Sequence, residues 1–158
     1  MELTQSDARK LFLKQQGLLR DNEFGRGKNA TNKAIQRLSY VQIDTISVIN
    51  RAHEHVLYNR VANYNPTHLE SLVQEREIFE YWSHAAAFLP FKDFRYSLPV
   101  MKGFRSTRQC DEKLKAKVLA RIHSEGPLQS RDFEDTSGRK RGGWWEWKPA
   151  KRVLEHLF

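Results

Sequence analysis

Apolar residues recur at intervals of three and four along most of this sequence, which is the spacing of one face of an α-helix. In residues 4–19 this spacing predicts a helix whose buried face is formed by Ala8, Leu11, Phe12, Gln15, Leu18 and Leu19. Similar patterns predict further helices over residues 31–39, 66–76, 111–125 and from Pro149 to the end of the sequence. The chain is therefore expected to be mainly α-helical.

One segment alternates with the period of a β-strand instead. In residues 40–45, Val41 and Ile43 are expected on one face of a short strand, and Gln42 and Asp44 on the other. The sequence therefore predicts two polar side chains that share one face of an otherwise apolar segment.

The region after this strand is harder to assign. Residues 78–89 are apolar and aromatic and end at Pro90, which is compatible with a buried strand followed by a turn. Residues 91–105 are mixed in character and are expected to be irregular. Together with the helices, these segments predict a mainly α fold with short β-strands.

The order of the elements indicates two modules, residues 1–106 and 107–158. The second begins with the helix over 111–125, which Gly126 and Pro127 end, and continues with a short helix, a basic loop and a final helix. That is the order of a helix-turn-helix module with its recognition helix last. The apolar final helix stops at Phe158 without a cap, so we expect a fragment of a longer protein whose second module is truncated. A second copy is a possible cover for this helix end, which would make the chain a dimer.

The charge balance points to a polyanion as partner. The 27 Lys and Arg exceed the 19 Asp and Glu, which gives a formal net charge of +8. A clustered positive charge of this kind is typical of nucleic-acid binding. The alternative at this point is a basic protein without such a partner.

Composition excludes several other classes. No apolar run reaches the roughly 18 residues of a membrane-spanning helix, and residues 1–10 lack the apolar centre of a secretion signal. The single cysteine, Cys110, cannot form an intramolecular disulfide or a cysteine-based zinc site. We therefore expect a cytoplasmic protein associated with the nucleoid, without a membrane or a metal.

The pair Gln42 and Asp44 is the sharpest candidate site. A carboxylate in an apolar segment is costly unless it is paired or has a function. One interpretation makes Asp44 a general base or a charge stabiliser, with Gln42 orienting a water molecule. The alternative is that Asp44 caps the next helix and Gln42 is merely exposed.

Basic and aromatic side chains are the candidates for DNA contacts. Lysine and arginine neutralise phosphates, and aromatic rings offer surfaces on which bases stack. Histidines at His53 and His55 lack the spacing of a zinc-binding helix, so a phosphate or base contact through Arg51 or His53 is favoured over a metal, with a solvated loop as the alternative. The predicted DNA-binding residues are Arg26, Lys28, Lys33, Arg37, Arg51, His53, Arg60, Trp82, His84, Arg139, Lys140, Arg141, Lys148, Lys151 and Arg152.

Several strings together resemble one protein family. The most specific are Gln42-Ile43-Asp44 and the segment from Trp144 to Pro149, and the similarity runs through nearly the whole chain. In these segments the sequence resembles the YcaQ/AlkZ group of winged-helix DNA glycosylases, and the YcaQ branch in particular. The similar segments are residues 3–19, 37–61, 81–90, 126–134 and 142–158.

The resemblance implies tandem winged-helix modules, no cofactor, and a double-stranded DNA substrate with alkylated or crosslinked purines. It assigns the catalytic role to Gln42 and Asp44. It also implies a monofunctional glycosylase that removes N7-alkylated purines, including those in interstrand crosslinks, and leaves an abasic site. The family's proteins are much longer than this chain, which puts the activity of these 158 residues alone in question. The alternative function is a winged-helix DNA-binding protein or transcriptional regulator without catalysis.

Overall fold

The computed structural model describes residues 3–44, 46–107, 109–133 and 149–157. Within them, seven α-helices and one small three-stranded sheet confirm the mainly α fold with short strands. The chain divides into two compact units, Met1–Ser97 and Leu98–Phe158. The sequence-based boundary at 106/107 lies nine residues after this division.

The first helix, α1 (Gln5–Gln15), is shorter than the predicted 4–19. Thr4 caps it by accepting the Asp7 N–H at 3.2 Å. Gly17 adopts a left-handed φ of 64°, and the Leu18 N–H then donates to the Leu13 carbonyl at 2.9 Å. This closure ends the helix.

The buried face predicted for α1 is wrong. None of its residues is buried, and the large apolar side chains Leu11 and Phe12 are exposed. The interior of this unit is filled instead by side chains that follow α1 in the sequence.

Three helices surround the core of the first unit: α2 (Gly27–Leu38), α3 (Ala52–Tyr58) and α4 (Thr67–Gln74). Helix α2 starts four residues earlier than predicted. Helix α3 replaces the solvated loop considered for this region. Ser39 ends α2 in the left-handed conformation, with φ of 59°, and turns the chain toward the first strand.

The sheet contains β1 (Val41–Gln42), β2 (Ile78–Trp82) and β3 (Ala86–Pro90). Its order is β1-β3-β2, and both pairings are antiparallel. The apolar segment 78–89 is therefore most of a hairpin, β2 and β3. One core joins all three strands to α2, α3 and α4; its members are Ala30, Ala34, Ile35, Val41, Leu57, Val61, Leu69, Leu72, Ile78 and Phe88.

The prediction that residues 91–105 are irregular is wrong. A 3-10 turn, Phe91–Asp93, leads into α5 (Phe94–Thr107), which contains Pro99. The Phe94 ring stacks on Phe91, with centroids 5.3 Å apart, and meets the edge of Phe79 at 5.1 Å. This aromatic cluster fixes the start of the helix.

The second unit contains α6 (Glu112–Glu125), a 3-10 turn (Ser130–Asp132) and α7 (Pro149–Leu157). Asp111 caps α6 by accepting the Lys113 and Leu114 N–H groups, both at 3.0 Å. The buried side chains of this unit are Val118, Phe133, Ala150 and Val153. None of the helices in the described ranges is long and apolar enough to cross a bilayer.

Candidate nucleic-acid and catalytic site

The candidate site begins on the short edge strand β1. Val41 is buried and lies opposite Phe88, whereas Gln42 is exposed and lies opposite Ala87. The Ile43 N–H donates to the Ala86 carbonyl at 2.8 Å, which extends the strand geometry by one residue. Ile43 packs against the core, so the alternation expected from the sequence holds from Val41 to Ile43.

Asp44 lies where the strand ends. Its carboxylate Oδ1 accepts the Ile46 N–H at 2.8 Å, and its own backbone N–H donates to His53 Nδ1 at 3.3 Å. It does not cap a helix, because α3 starts at Ala52 with Arg51 as its N-cap residue. Asp44 therefore stabilises a turn, which leaves Oδ2 without a hydrogen bond among the described residues.

Gln42 is held by a different pair of side chains. The Tyr40 hydroxyl is 3.4 Å from Gln42 Oε1 and 3.2 Å from His84 Nδ1. The Tyr40 and His84 rings stack, with centroids 5.5 Å apart and planes at 24°. A hydroxyl has one proton, so its donation to Gln42 requires His84 to donate from Nδ1. The Gln42 Nε2 protons take no part in this hydrogen bond.

The pair is more accessible than the sequence argument assumed. Gln42 is exposed and Asp44 is half-buried. The carboxylate is not an isolated charge inside an apolar core, since backbone N–H bonding and solvent both stabilise it. Both side chains are therefore open to a ligand.

Buried polar side chains hold the backbone of Asp44 through His53. His53 and Glu54 are both buried, and His53 Nε2 lies 3.4 Å from Glu54 Oε1. Burial lowers the pKa of His53, with an opposing effect from Glu54. Burial, together with the Glu54 carboxylate, raises the pKa of Tyr64. A neutral His53 ring is the form that accepts the Asp44 N–H at Nδ1.

Two predicted DNA contacts require correction. His53 is 4% exposed and Arg60 is 8% exposed, so neither side chain offers a surface for a phosphate. Arg60 Nε donates to the Gln16 carbonyl at 2.7 Å, and Nη1 to the Val56 carbonyl at 2.8 Å. Both residues stabilise the fold next to the site, and burial lowers the pKa of Arg60.

The other predicted contacts of the first unit lie at its surface. Trp82 is 62% exposed at the end of β2. Lys28 is half-buried and forms an ion pair with Glu75 at 2.5 Å, and Arg37 Nη1 lies 3.4 Å from Gln15 Oε1. The exposed members of the set are Arg26, Lys33, Arg37, Arg51, Trp82 and His84.

In the second unit, Arg152 is exposed on α7 and Lys151 is half-buried. The remaining predicted contacts, Arg139, Lys140, Arg141 and Lys148, lie outside the described residues. In residues 3–44, 46–107, 109–133 and 149–157, no three His, Cys, Asp or Glu side chains converge as a metal site requires.

Sequence reasoning missed the groups that support the pair. The sequence pattern indicates no role for Tyr40 or Glu54, and it predicts His53 at the surface. The signal is present in α3 and the two residues after it, where His53, Val56, Leu57 and Arg60 follow the spacing of one helical face. Because His53 and Arg60 are polar, this face does not have the apolar pattern that predicts burial.

Comparison with known proteins identifies one family. The family described as DNA glycosylase AlkZ-like matches residues 35–158, which include all of the sheet and the Gln42/Asp44 segment. No solved structure matches the chain. DNA glycosylases cleave the bond between a base and its deoxyribose. Because the match covers most of the chain, the protein belongs to the AlkZ-like DNA glycosylase family.

Proposed function

We propose that this protein hydrolyses the N-glycosidic bond of N7-alkylated purines in double-stranded DNA, including purines in interstrand crosslinks, and leaves an abasic site. The observation that carries the proposal is the accessible pair Gln42 and Asp44 at the end of β1. Each is fixed by its own partners, Gln42 by Tyr40 and Asp44 by Ile46 and His53.

The chemistry of the lesion matches this pair. Alkylation at N7 gives the purine a positive charge, so the base leaves as a neutral group without protonation. The remaining problem is the developing positive charge on the sugar, which a carboxylate stabilises in glycoside hydrolysis. Asp44 Oδ2 is suited to this role or to accepting a proton from the attacking water. The Gln42 Nε2 protons are suited to binding the oxygen of that water. No lysine nucleophile is required, which makes the enzyme monofunctional.

The arrangement of elements supports DNA as the partner. The sequence α2-β1-α3-α4-β2-β3, with sheet order β1-β3-β2, is the order of a winged-helix domain, in which the hairpin β2-β3 is the wing. Such domains bind duplex DNA. The exposed Arg51, Trp82 and His84 lie on segments next to the pair or on the hairpin, in keeping with a bound duplex at this site.

A regulator without catalysis is the competing function, and helix α4 argues against it. In winged-helix regulators the helix before the wing reads the bases, and contacts from Arg or Lys to guanine are the commonest base-specific contacts. Helix α4 has the sequence THLESLVQ, with Glu70 and no Lys or Arg. His68 of this helix is engaged by Thr31 at 3.2 Å. The first unit is therefore poorly suited to sequence-specific readout through α4.

The test is release of base from a duplex that contains one N7-methylguanine, followed by alkaline cleavage at the abasic site. We expect Asp44→Asn to reduce the single-turnover rate about 100-fold or more, the range of one catalytic acid–base or charge-stabilising group. DNA affinity, measured by fluorescence anisotropy, is expected to change little.

The matched control is Asp21→Asn, the same change at an exposed carboxylate in the turn after α1. It should retain wild-type turnover. Wild-type protein that binds the duplex but releases no base would support the regulator instead. Equal rates for Asp44→Asn and the wild type would remove Asp44 from the mechanism. A duplex with an N7-linked interstrand crosslink then tests the wider lesion range.

A further inference from the structure

The loop that follows Asp44 has an unusual surface. The side chains of Ile46, Val48 and Ile49 are 74%, 92% and 90% exposed. Isolated exposed apolar residues are common, but three in four consecutive positions mark an interaction surface. We call these three residues the apolar tip.

Hydrogen bonds and a β-bridge hold the apolar tip in place. Ser47 and Arg51 form an isolated antiparallel bridge at its base. The Arg51 N–H donates to Asn50 Oδ1 at 2.8 Å, and the Ile46 N–H donates to Asp44 Oδ1 at 2.8 Å. The chain therefore turns tightly between residues 47 and 51, and Val48 and Ile49 occupy the turn.

The apolar tip is next to the candidate catalytic carboxylate. Ile46 bonds directly to Asp44, so any sugar that reaches Asp44 Oδ2 brings its neighbouring base pairs close to the tip. The exposed cation of Arg51 stands at the base of the same loop, where it is suited to a phosphate. Apolar side chains beside a cation are a combination that proteins use to insert between base steps from the minor groove.

We propose that the apolar tip is a wedge that inserts into the DNA stack beside the lesion, with Arg51 binding the flanking backbone. This proposal rests on the proposed function, because it needs the target sugar to lie at Asp44. Insertion separates adjacent base pairs and exposes the sugar to the Gln42/Asp44 pair. A bulky or crosslinked purine weakens stacking at its own step, which reduces the free energy that insertion requires.

The experiment uses a duplex that contains a tetrahydrofuran abasic analogue with 2-aminopurine as the adjacent base. This base brightens when it is unstacked, and the analogue has no glycosidic bond to cleave. Wild-type binding should increase the fluorescence. The double variant Val48→Ser/Ile49→Ser should lose this increase and bind roughly tenfold or more weakly, because it no longer buries two apolar side chains in the stack.

Two further variants serve as controls. Val100→Ser makes the same change at another valine, which is 61% exposed on α5, and should behave as the wild type. Val48→Leu keeps an apolar side chain at the tip and should retain the fluorescence increase. Thermal unfolding of each variant shows whether the fold is intact.

Several results would overturn the wedge. The wild-type protein could fail to bind the duplex, or it could bind without changing the fluorescence. The double serine variant could also give the same fluorescence increase as the wild type. A wild-type dimer that the double variant converts to monomer, seen by sedimentation, would assign the tip to self-association. Failure of the wild type to release N7-methylguanine, with the fluorescence increase intact, would refute the proposed substrate and leave the wedge standing.

Discussion

The two units of the chain differ in how they build an interior. In the first unit, ten buried residues form one core, and all but Val61 come from three helices and three strands. In the second, the described residues supply four buried side chains, from α6, the 3-10 turn and α7. The candidate catalytic pair belongs to the first unit. Val41 anchors β1 in this core, and the proposed chemistry requires polar side chains that are held at fixed positions.

The first unit also contains buried polar groups that the described part of the second does not match. Arg60 donates to two main-chain carbonyls, one of them at Gln16 just after α1. His53 and Glu54 are buried beside Asp44. These groups stabilise the fold only while they are hydrogen-bonded, because a buried polar group that loses its partner carries a desolvation penalty.

The largest effect is expected at Arg60. Arg60→Met retains much of the apolar volume but leaves the Gln16 and Val56 carbonyls without their donor, which should cost about 2–3 kcal/mol of unfolding free energy. Urea denaturation measures this loss. Arg60→Lys keeps the charge and should be intermediate. If Arg60→Met leaves the free energy of unfolding unchanged, the first unit does not depend on these buried polar contacts.

A matched pair of valines compares the two cores directly. Val61 is 2% exposed in the first core and Val118 is 1% exposed in the second. Truncation to alanine removes two methyl groups, worth about 1.6 kcal/mol before any cavity forms. We expect each substitution to cost at least this much, because both valines are almost fully buried and their neighbours close only partly around the void. Urea denaturation of both variants compares the two costs, and a negligible cost at either valine would mean that its surroundings close around the void.

The smallest effect concerns acid stability. Burial lowers the pKa of His53, against an opposing influence from Glu54; Arg51 lowers it further and Asp44 raises it. An unfolded chain therefore binds a proton at His53 more readily than the folded one. The stability that a neutral His53 contributes is present above about pH 6.5 and is lost as the pH falls below that value.

His53→Asn, which keeps an acceptor near the Nδ1 position, should reduce the loss of stability between pH 7 and pH 5. Thermal unfolding across this range, compared with the wild type, measures the change. An identical pH dependence in the two proteins would show that another group controls acid unfolding.

Much of the fold could be predicted from spacing alone. The helices α4 and α6 and the alternation from Val41 to Ile43 follow from local patterns, because one face of each packs on a core. Helix α5 could not, since Pro99 and a mixed sequence hide it and its start depends on Phe79 from a distant strand. The exposure of α1 was also unpredictable, because periodicity identifies an apolar face but not what covers it.

The candidate site divides in the same way. Gln42 and Asp44 are two residues apart, so their neighbouring positions at the end of β1 were predictable, whereas a shared strand face stays a prediction. The side chains that hold this pair could not be predicted. Tyr40 contacts His84, which is 44 residues away in the sequence, and Asp44 bonds to His53, which the sequence predicts at the surface. The spacing of His53, Val56, Leu57 and Arg60 indicates one helical face, but its two polar members do not identify that face as buried.

Strand β1 has two residues and a single neighbour, β3, since it lies at the edge of the sheet. Its last ladder bond is the one from Ile43 to Ala86. Opening such a terminus requires much less free energy than global unfolding. Asp44 lies beyond this last bond, so its position depends on its own hydrogen bonds to Ile46 and His53 and not on pairing in the sheet. The catalysis proposed for Asp44 therefore depends on two local hydrogen bonds, which can be broken while Val41 stays in the core.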